Sequence, residues 1–348
     1  MTTTLGVGRS DGFDLRVEPY RRELLAYCYR MLGSVHDAED LVQDTYLRAW
    51  RAREQYDESR ASLRTWLYRI ATNVCLTALQ GRARRPLPSG LVAESDPLGP
   101  LVLGEVPWLE PLPDALLGAD DPADAAVARA GLRLAFASAL QHLSARERGA
   151  LVLRDVLAFS AAEAAEALGT TVAAVNSALQ RARARMAEAG AQHEVDEPSA
   201  AEQRAWLDRY MAAFVQADVE GLKALLTEDV LMEMPPMVNW FRGRTGYGQF
   251  MDWVFDVAGT DWHLVPVTAN GQPGFAAYRR DGDGYALHTL QVFTVRGDGI
   301  SRNSVFQDPD VFASFRLPDR LDADAPVSDP PASAPGAGAL PPSGDGRA

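Results

Sequence analysis

Between Pro86 and Asp124 the chain carries no lysine or arginine. It carries Pro88, Pro97, Pro100, Pro107, Pro111, Pro113 and Pro122, and the acids Glu94, Asp96, Glu105, Glu110, Asp114, Asp120 and Asp121. Proline lacks a backbone donor and fixes φ, so regular helices end where this stretch begins. One core cannot run through it, and a chain of 348 residues is in any case too long for one small core. The stretch reads as a poorly structured acidic linker, residues 86–124, in which Trp108 is out of place.

Ahead of the linker, Tyr20, Leu24, Tyr27, Cys28, Met31 and Leu32 recur at three and four residues, one helix face that Gly33 stops. A second helix starts near Asp37, with Asp37, Glu39 and Asp40 in its first turn, where carboxylates favour the positive end of the helix dipole. Its apolar stripe is Ala38, Leu41, Val42, Thr45, Ala49 and Trp50. A third helix follows Ser62 and buries Leu63, Trp66 or Leu67, Ile70 and Val74. Three amphipathic helices with short turns make a compact all-α bundle over residues 16–85, and residues 1–15 are expected to be disordered.

Helices resume at Asp124. Ser144 with Glu147, and Ser160 with Glu163, have the spacing of capping boxes. A helix to Val156, another ending at Gly169, and a last from Val172 to about Ala187 capped by Thr170 and Thr171 form a helix-turn-helix pattern within 125–189. A polar hinge, 190–200, leads to an α+β module, 201–320. Trp206, Tyr210 and Phe214 mark a helix, VLMEM a strand and TGYGQFMDWVFDVA another helix. Four strands joined at Asn-Gly, Asp-Gly-Asp-Gly and Gly-Asp-Gly follow. Residues 321–348, rich in Pro, Ala, Gly and Ser, are expected to be disordered.

The formal net charge of −13 argues against indiscriminate coating of nucleic acid, so any such contact is local. Base is concentrated at Arg60, Arg64, Arg69, Arg82, Arg84 and Arg85, and again at Arg181, Arg183 and Arg185. The two cysteines, Cys28 and Cys75, lie in apolar helical patterns and read as core residues rather than metal ligands, and no cofactor is called for. No basic head with an apolar run opens the chain, and no stretch is long enough to span a bilayer, so a cytoplasmic protein is expected.

Two faces suit nucleic acid. With Val172, Val175, Leu179, Ala182 and Met186 turned inward, the last helix presents Thr171, Ala173, Asn176, Ser177, Gln180, Arg181 and Arg183, small, polar and basic as a major groove requires. The third helix of the first bundle presents Arg64, Tyr68, Arg69, Thr72 and Asn73, followed by GRARR. Base interleaved with aromatic and amide groups suits a single strand. Trp66 has a competing place in the core. The acidic helix beside these cannot read the same DNA, so Asp37, Glu39, Asp40, Gln43 and Asp44 should face a protein.

DAEDLVQDTYLRAW, then SLRTWLYRIATNVCL, then LSARERGALVLRDV through VAAVNSALQRARARM resemble regions 2 and 4 of bacterial extracytoplasmic-function sigma factors of the sigma-70 family. Residues 201–318 resemble a SnoaL-like domain of the NTF2-like superfamily, and WFRGR (240–244) and NGQPG (270–274) look like pieces of sigma factors with this domain fused behind region 4. The linker with VPWLEPLPD is similar to the SigG-like subgroup. The resemblance implies a multidomain fold: an all-α region 2 bundle, an all-α region 4 helix-turn-helix and an α+β NTF2-like cone. It also implies core RNA polymerase and promoter DNA as partners. Asp37, Glu39, Asp40, Gln43 and Asp44 match the helix that docks on the β′ clamp, and region 4 would approach the β flap. Arg64, Trp66, Arg69, Asn73, Arg82, Arg84 and Arg85 match the part that opens the −10 element and holds its strand, with a base flipped into a pocket. Thr171, Ala173, Asn176, Ser177, Gln180, Arg181 and Arg183 match the reader of the −35 element. The acidic linker would thread towards the polymerase active-site channel.

NTF2-like cones commonly enclose an apolar pocket, and some relatives are enzymes. Trp240, Tyr278, His288 and Gln291, with Asp229 and Glu233, fall on elements expected to line one, and a small apolar ligand is a candidate partner. No catalytic dyad is legible at fixed spacing, so no enzyme is expected. The third module is expected to tune promoter binding. The rival reading is a ligand-regulated helix-turn-helix repressor or activator, for which the acidic helix has no use.

Overall fold

The computed structural model describes residues 12–118, 132–188 and 198–323. The first bundle holds α1 (Phe13–Val17), α2 (Arg21–Leu32), α3 (Val35–Ala52) and α4 (Leu63–Ala78). Gly33 ends α2 at φ +74°, a left-handed cap that favours glycine. A Cβ there would also lie 3.0 Å from Leu109 and 3.1 Å from Gln141. The hydroxyls of Ser34 and Ser62 cap α3 and α4 by accepting from the Asp37 and Thr65 amides at 3.2 and 3.1 Å. Phe13 packs edge-on to Trp50 and Trp66, so 12–15 belong to the bundle rather than to a disordered start; residues 1–11 lie outside the described residues. Cys28 and Cys75 are buried free thiols, as their apolar surroundings led one to expect.

The linker corrects its expectation most. Residues 86–118 are laid out in extended chain and short turns, and Leu109, Leu112 and Leu117 are core residues. Trp108 is buried too, which explains a large aromatic in a segment otherwise suited to solvent. Proline prevents regular structure but not order, because the linker's donors and acceptors are met by neighbouring modules. Residues 119–124 are outside the described set, as is the first part of the helical region expected from Asp124.

The second bundle comprises α5 (Leu134–Gln141), α6 (Ala145–Leu151), which continues in a wider turn over Val152–Val156, α7 (Ala161–Ala167) and α8 (Val172–Glu188). Both expected capping boxes form, Ser144 with Glu147 and Ser160 with Glu163. Val175, Leu179, Ala182 and Met186 face inward, whereas Val172, expected with them, is exposed. It is the first residue of α8.

Of the hinge, residues 198–200 are described; Ala200 already opens α9 (Ala200–Val215), for which Ser199 with Glu202 forms a capping box. Short α10 (Val219–Ala224) leads into β1 (Leu226–Glu233), β2 (Trp240–Arg242), α11 (Gly243–Ala258), β3 (Trp262–Ala269), β4 (Gln272–Asp281), β5 (Gly284–Arg296) and β6 (Gly299–Phe306). Then come α12 (Pro309–Ser314) and β7 (Arg320–Asp322), which pairs with β5, so order continues past 320; residues 324–348 are not described. The sheet order is β2-β1-β6-β5-β4-β3, antiparallel except for the β1–β6 pair. Strand alternation gives it two apolar faces. Phe275, Ala277, Phe293 and Val295 face α9 and α11, while Ala276, Tyr278, Leu290 and Val292 join the core of the two helical bundles. At about 1.5–3 kcal/mol per large buried side chain, that second face makes the third module an integral wall of the molecule.

Candidate nucleic-acid interface

On α3, Asp40 and Gln43 are exposed and Glu39 is half-buried. None of the three takes part in an ion pair with another described residue, which leaves Glu39 and Asp40 as available charge. Asp44 is held by Arg48 at 2.9 Å. Asp37 turns the other way: its carboxylate accepts from Arg82 at 2.8 Å and Arg85 at 3.0 Å. Arg85 also donates to Glu110 and to the Trp108 carbonyl, which fastens the linker to the bundle. Burial raises the Glu110 carboxyl above its ordinary value, against the Val35 amide and Arg85, which lower it. Two arginines assigned to DNA are thus engaged internally.

The expectation for α4 needs more correction. Tyr68 and Thr72, expected outward, are fully buried, and Trp66 is a core residue wedged against Tyr56. Helix α4 has apolar neighbours on two sides, and the second is the other bundle. Phe159 meets the Tyr68 ring at 5.0 Å and lies beneath the Arg64 guanidinium at 4.6 Å. Arg69 pairs with Glu166 at 3.2 Å, and the Thr65 hydroxyl reaches Glu163 at 3.4 Å. The Ser160 hydroxyl, then its backbone N–H, hold the Glu163 carboxyl below its usual range. Arg64 itself is paired with Glu23 at 3.1 Å. Only Asn73 and Arg84 of the −10 set are both exposed and without an ion pair among the described residues.

On α8 the expected face is open. Thr171, Ala173, Asn176, Ser177, Gln180, Arg181 and Arg183 are all exposed. Arg181 and Arg185 both bind Glu147, at 2.9 and 2.6 Å, and Arg183 grips Asp155 with two nitrogens. These pairs steady the base of the helix and leave the small and amide residues of its first turns unencumbered.

Sequence reasoning missed the group that holds this arrangement together. At the tip of the β3–β4 hairpin, Asn270 is fully buried at φ +56°, a conformation asparagine tolerates. Its amide nitrogen donates to the Tyr29 hydroxyl at 2.9 Å and the Leu132 carbonyl at 2.6 Å, and its oxygen accepts from the Leu112 amide at 2.8 Å. One side chain thereby joins the first bundle, the linker, the chain leading into the second bundle and the third module. Gln272 accepts from the Leu134 amide at 2.8 Å, and the Gly271 amide donates to Asp114 at 2.8 Å. Arg148 completes the contact between the bundles by donating to the Met31 carbonyl at the C-terminus of α2 and to Gln141; burial pushes its guanidinium down to about 10. The signal in the sequence was NGQPG, legible as a hairpin turn but not as a clasp.

WFRGR holds the other side of the linker. The Trp240 indole donates to the Val92 carbonyl at 3.0 Å, and the Arg242 amide donates to Glu94 at 3.0 Å. Trp240 is therefore not among the walls of the cavity between α11 and the sheet, and neither is Tyr278, whose ring lies on the opposite face of the sheet with its hydroxyl pushed up to about 12 by burial. His288 and Gln291 do line a cavity of about 190 Å³ between α11 and the sheet. The carboxylates Asp229 and Glu233 are engaged elsewhere, by Arg296 at 2.6 Å and by Arg302 at 2.6 Å.

Sigma-70 region 2 matches residues 16–85, sigma-70 region 4 matches 133–186, and the SnoaL-like domain matches 207–303. The chain is 48% identical over 321 residues to the ECF RNA polymerase sigma factor SigG of Mycobacterium tuberculosis, covering 90% of this chain and 86% of that one. It is 30% identical over 322 residues to SigJ of the same organism, covering 87% and 94%. The crystal structure of SigJ superposes with a TM-score of 0.60 at 25% identity, over 88% of this chain and 99% of that one. These relatives favour a sigma factor over a stand-alone repressor, and the chain belongs to the extracytoplasmic-function RNA polymerase sigma factors.

Proposed function

We propose that the arrangement described is the resting form of this sigma factor and that its C-terminal domain holds it there. The observation that carries the reading is the contact of α7 and Phe159 with α4. A −10 and a −35 element stand roughly 80 Å apart on duplex DNA at 3.4 Å per base pair. Regions 2 and 4 in direct contact cannot reach both. Promoter binding therefore requires the bundles to separate, and the Asn270 clasp opposes that separation from the third module. Region 2 opens the −10 element through the α4 face and the GRARR segment, and the first turns of α8 read the −35 element. Glu39, Asp40 and Gln43 supply the charge and amide for the polymerase clamp, whereas Asp37 changes partners from Arg82 and Arg85 only on opening.

In vitro transcription with bacterial core RNA polymerase on fragments of genomic DNA, comparing the full chain with residues 1–200, tests this. More abundant sigma-dependent starts from the shorter chain are expected. Equal rates and equal promoter choice would remove the C-terminal domain from regulation. Asp40→Lys, at an exposed position without an ion pair, is expected to weaken polymerase binding at least about tenfold with circular dichroism unchanged. Undiminished binding would take α3 out of the polymerase contact.

A further inference from the structure

The cavity between α11 and the sheet is closed on one side by the linker. Its walls are apolar, with Met232, Met234, Met237 and Met251 beside Trp253 and Trp262, and Leu101 of the linker completes them. Methionine adapts to irregular ligands better than branched residues do. Apolar cavities of about 150 Å³ hold a benzene-sized molecule, and this one, at about 190 Å³, accommodates a ring or a short acyl chain.

The polar groups are few and converge. His288 lies against the Trp262 ring at 5.5 Å and makes no hydrogen bond with another described residue. Arg279, exposed at the rim, forms no ion pair with a described residue although carboxylates are abundant in the chain. Gln291 is already committed, its oxygen accepting from Asn303 at 2.9 Å. Two donors with no acceptor, above an apolar chamber, describe a site for an oxygen-bearing head on an apolar body.

The segment carrying Leu101 is a strap. The Val102 amide donates to the Asn239 side chain at 2.8 Å, the Val238 amide to the Val102 carbonyl at 2.8 Å, and the Gly104 amide to the Pro236 carbonyl at 2.9 Å. Met237, which pairs with Leu103 in this ladder, is itself a cavity wall.

We propose that this cavity binds a small apolar monocarboxylate, its body among the methionines and its carboxylate at Arg279 and His288, and that the bound molecule seats the strap and so keeps the linker closed. The proposal rests on the reading that the closed form is the inactive one only for its effect on transcription, since the strap can be followed without polymerase. A ligand touching Leu101 adds apolar contact that exists only while the strap is seated, so it stabilises the closed state by its differential affinity.

The experiment is amide hydrogen exchange on the full chain over 97–108 and 234–240, with octanoate, with octan-1-ol, and with neither. Octanoate is expected to slow exchange in both segments about tenfold or more near saturation. Arg279→Gln should raise the octanoate concentration needed about tenfold, and Leu101→Ala, which removes the strap's own contact with the ligand, should both weaken octanoate binding read by tryptophan fluorescence and reduce the protection at saturating octanoate. Equal protection by octan-1-ol would overturn the carboxylate assignment. Binding without protection would overturn the coupling, and no octanoate binding would overturn the site.

Discussion

The two helices proposed to read DNA are in opposite situations. The outer face of α8 is open to solvent, its small and amide residues uncovered. The corresponding face of α4 lies under Phe159, Glu163 and Glu166, with Arg64 and Arg69 paired. Both helices carry base interleaved with polar groups in sequence, so exposure, not composition, separates them. On the proposed reading the closed chain presents the −35 face without the −10 face, and the net charge of −13 disfavours DNA binding by that single face alone.

The largest effect on this asymmetry is expected from Asn270→Asp. Aspartate tolerates φ +56°, so the hairpin keeps its shape, but both donors of the side chain are lost and a carboxylate faces the Leu132 carbonyl. Leaving buried acceptors unmet costs about 2–4 kcal/mol of the closed state, a shift of roughly thirtyfold to several hundredfold towards separated bundles. Small-angle scattering should show a larger radius of gyration, and transcription should rise. An unchanged radius would mean that the apolar face of the sheet holds the bundles without the clasp.

The fold was legible where periodicity and caps are local. Gly33, Ser62 and the boxes at Ser144 and Ser160 each announce an element by themselves, and each occurs where read, whereas α3 starts at Val35 behind the Ser34 cap rather than near Asp37. What could not be read is long-range partnership. Tyr68 looks like an exposed aromatic on α4 because nothing near it in sequence says that Phe159 covers it. The linker looks unstructured because its backbone groups are satisfied by residues more than a hundred positions away, such as Asn239 and Asn270. Trp240 and Tyr278 alternate on strands as pocket residues do, and only the packing of linker and bundles on the sheet assigns them elsewhere.

A smaller effect is expected at Trp240→Phe, which keeps an aromatic ring but removes the pyrrole half of the indole and with it the donor to Val92. One hydrogen bond to a partly exposed carbonyl contributes about 0.5–1.5 kcal/mol. The change should speed hydrogen exchange around 90–96 several-fold while leaving the Asn270 contacts and the covering of α4 as they are. If α4 became accessible as well, the two linker attachments would be one cooperative unit rather than two.

The smallest effect belongs to the ion pair between α4 and α7, Arg69 with Glu166. Arg69 and Glu166 are 42% and 43% exposed, so water screens their attraction. A double-mutant cycle on Arg69→Ala and Glu166→Ala, read as the shift in bundle separation, should give a coupling of about 0.2–1 kcal/mol at low salt. It should vanish near 1 M salt, where the screening length is roughly 3 Å. The apolar contact of Phe159 with Tyr68 should persist under the same conditions, so salt alone should not open the molecule. Opening by salt would place electrostatics, rather than the aromatic contact and the clasp, in control of the covered helix, and the difference between α4 and α8 would then be a matter of ionic strength rather than of architecture.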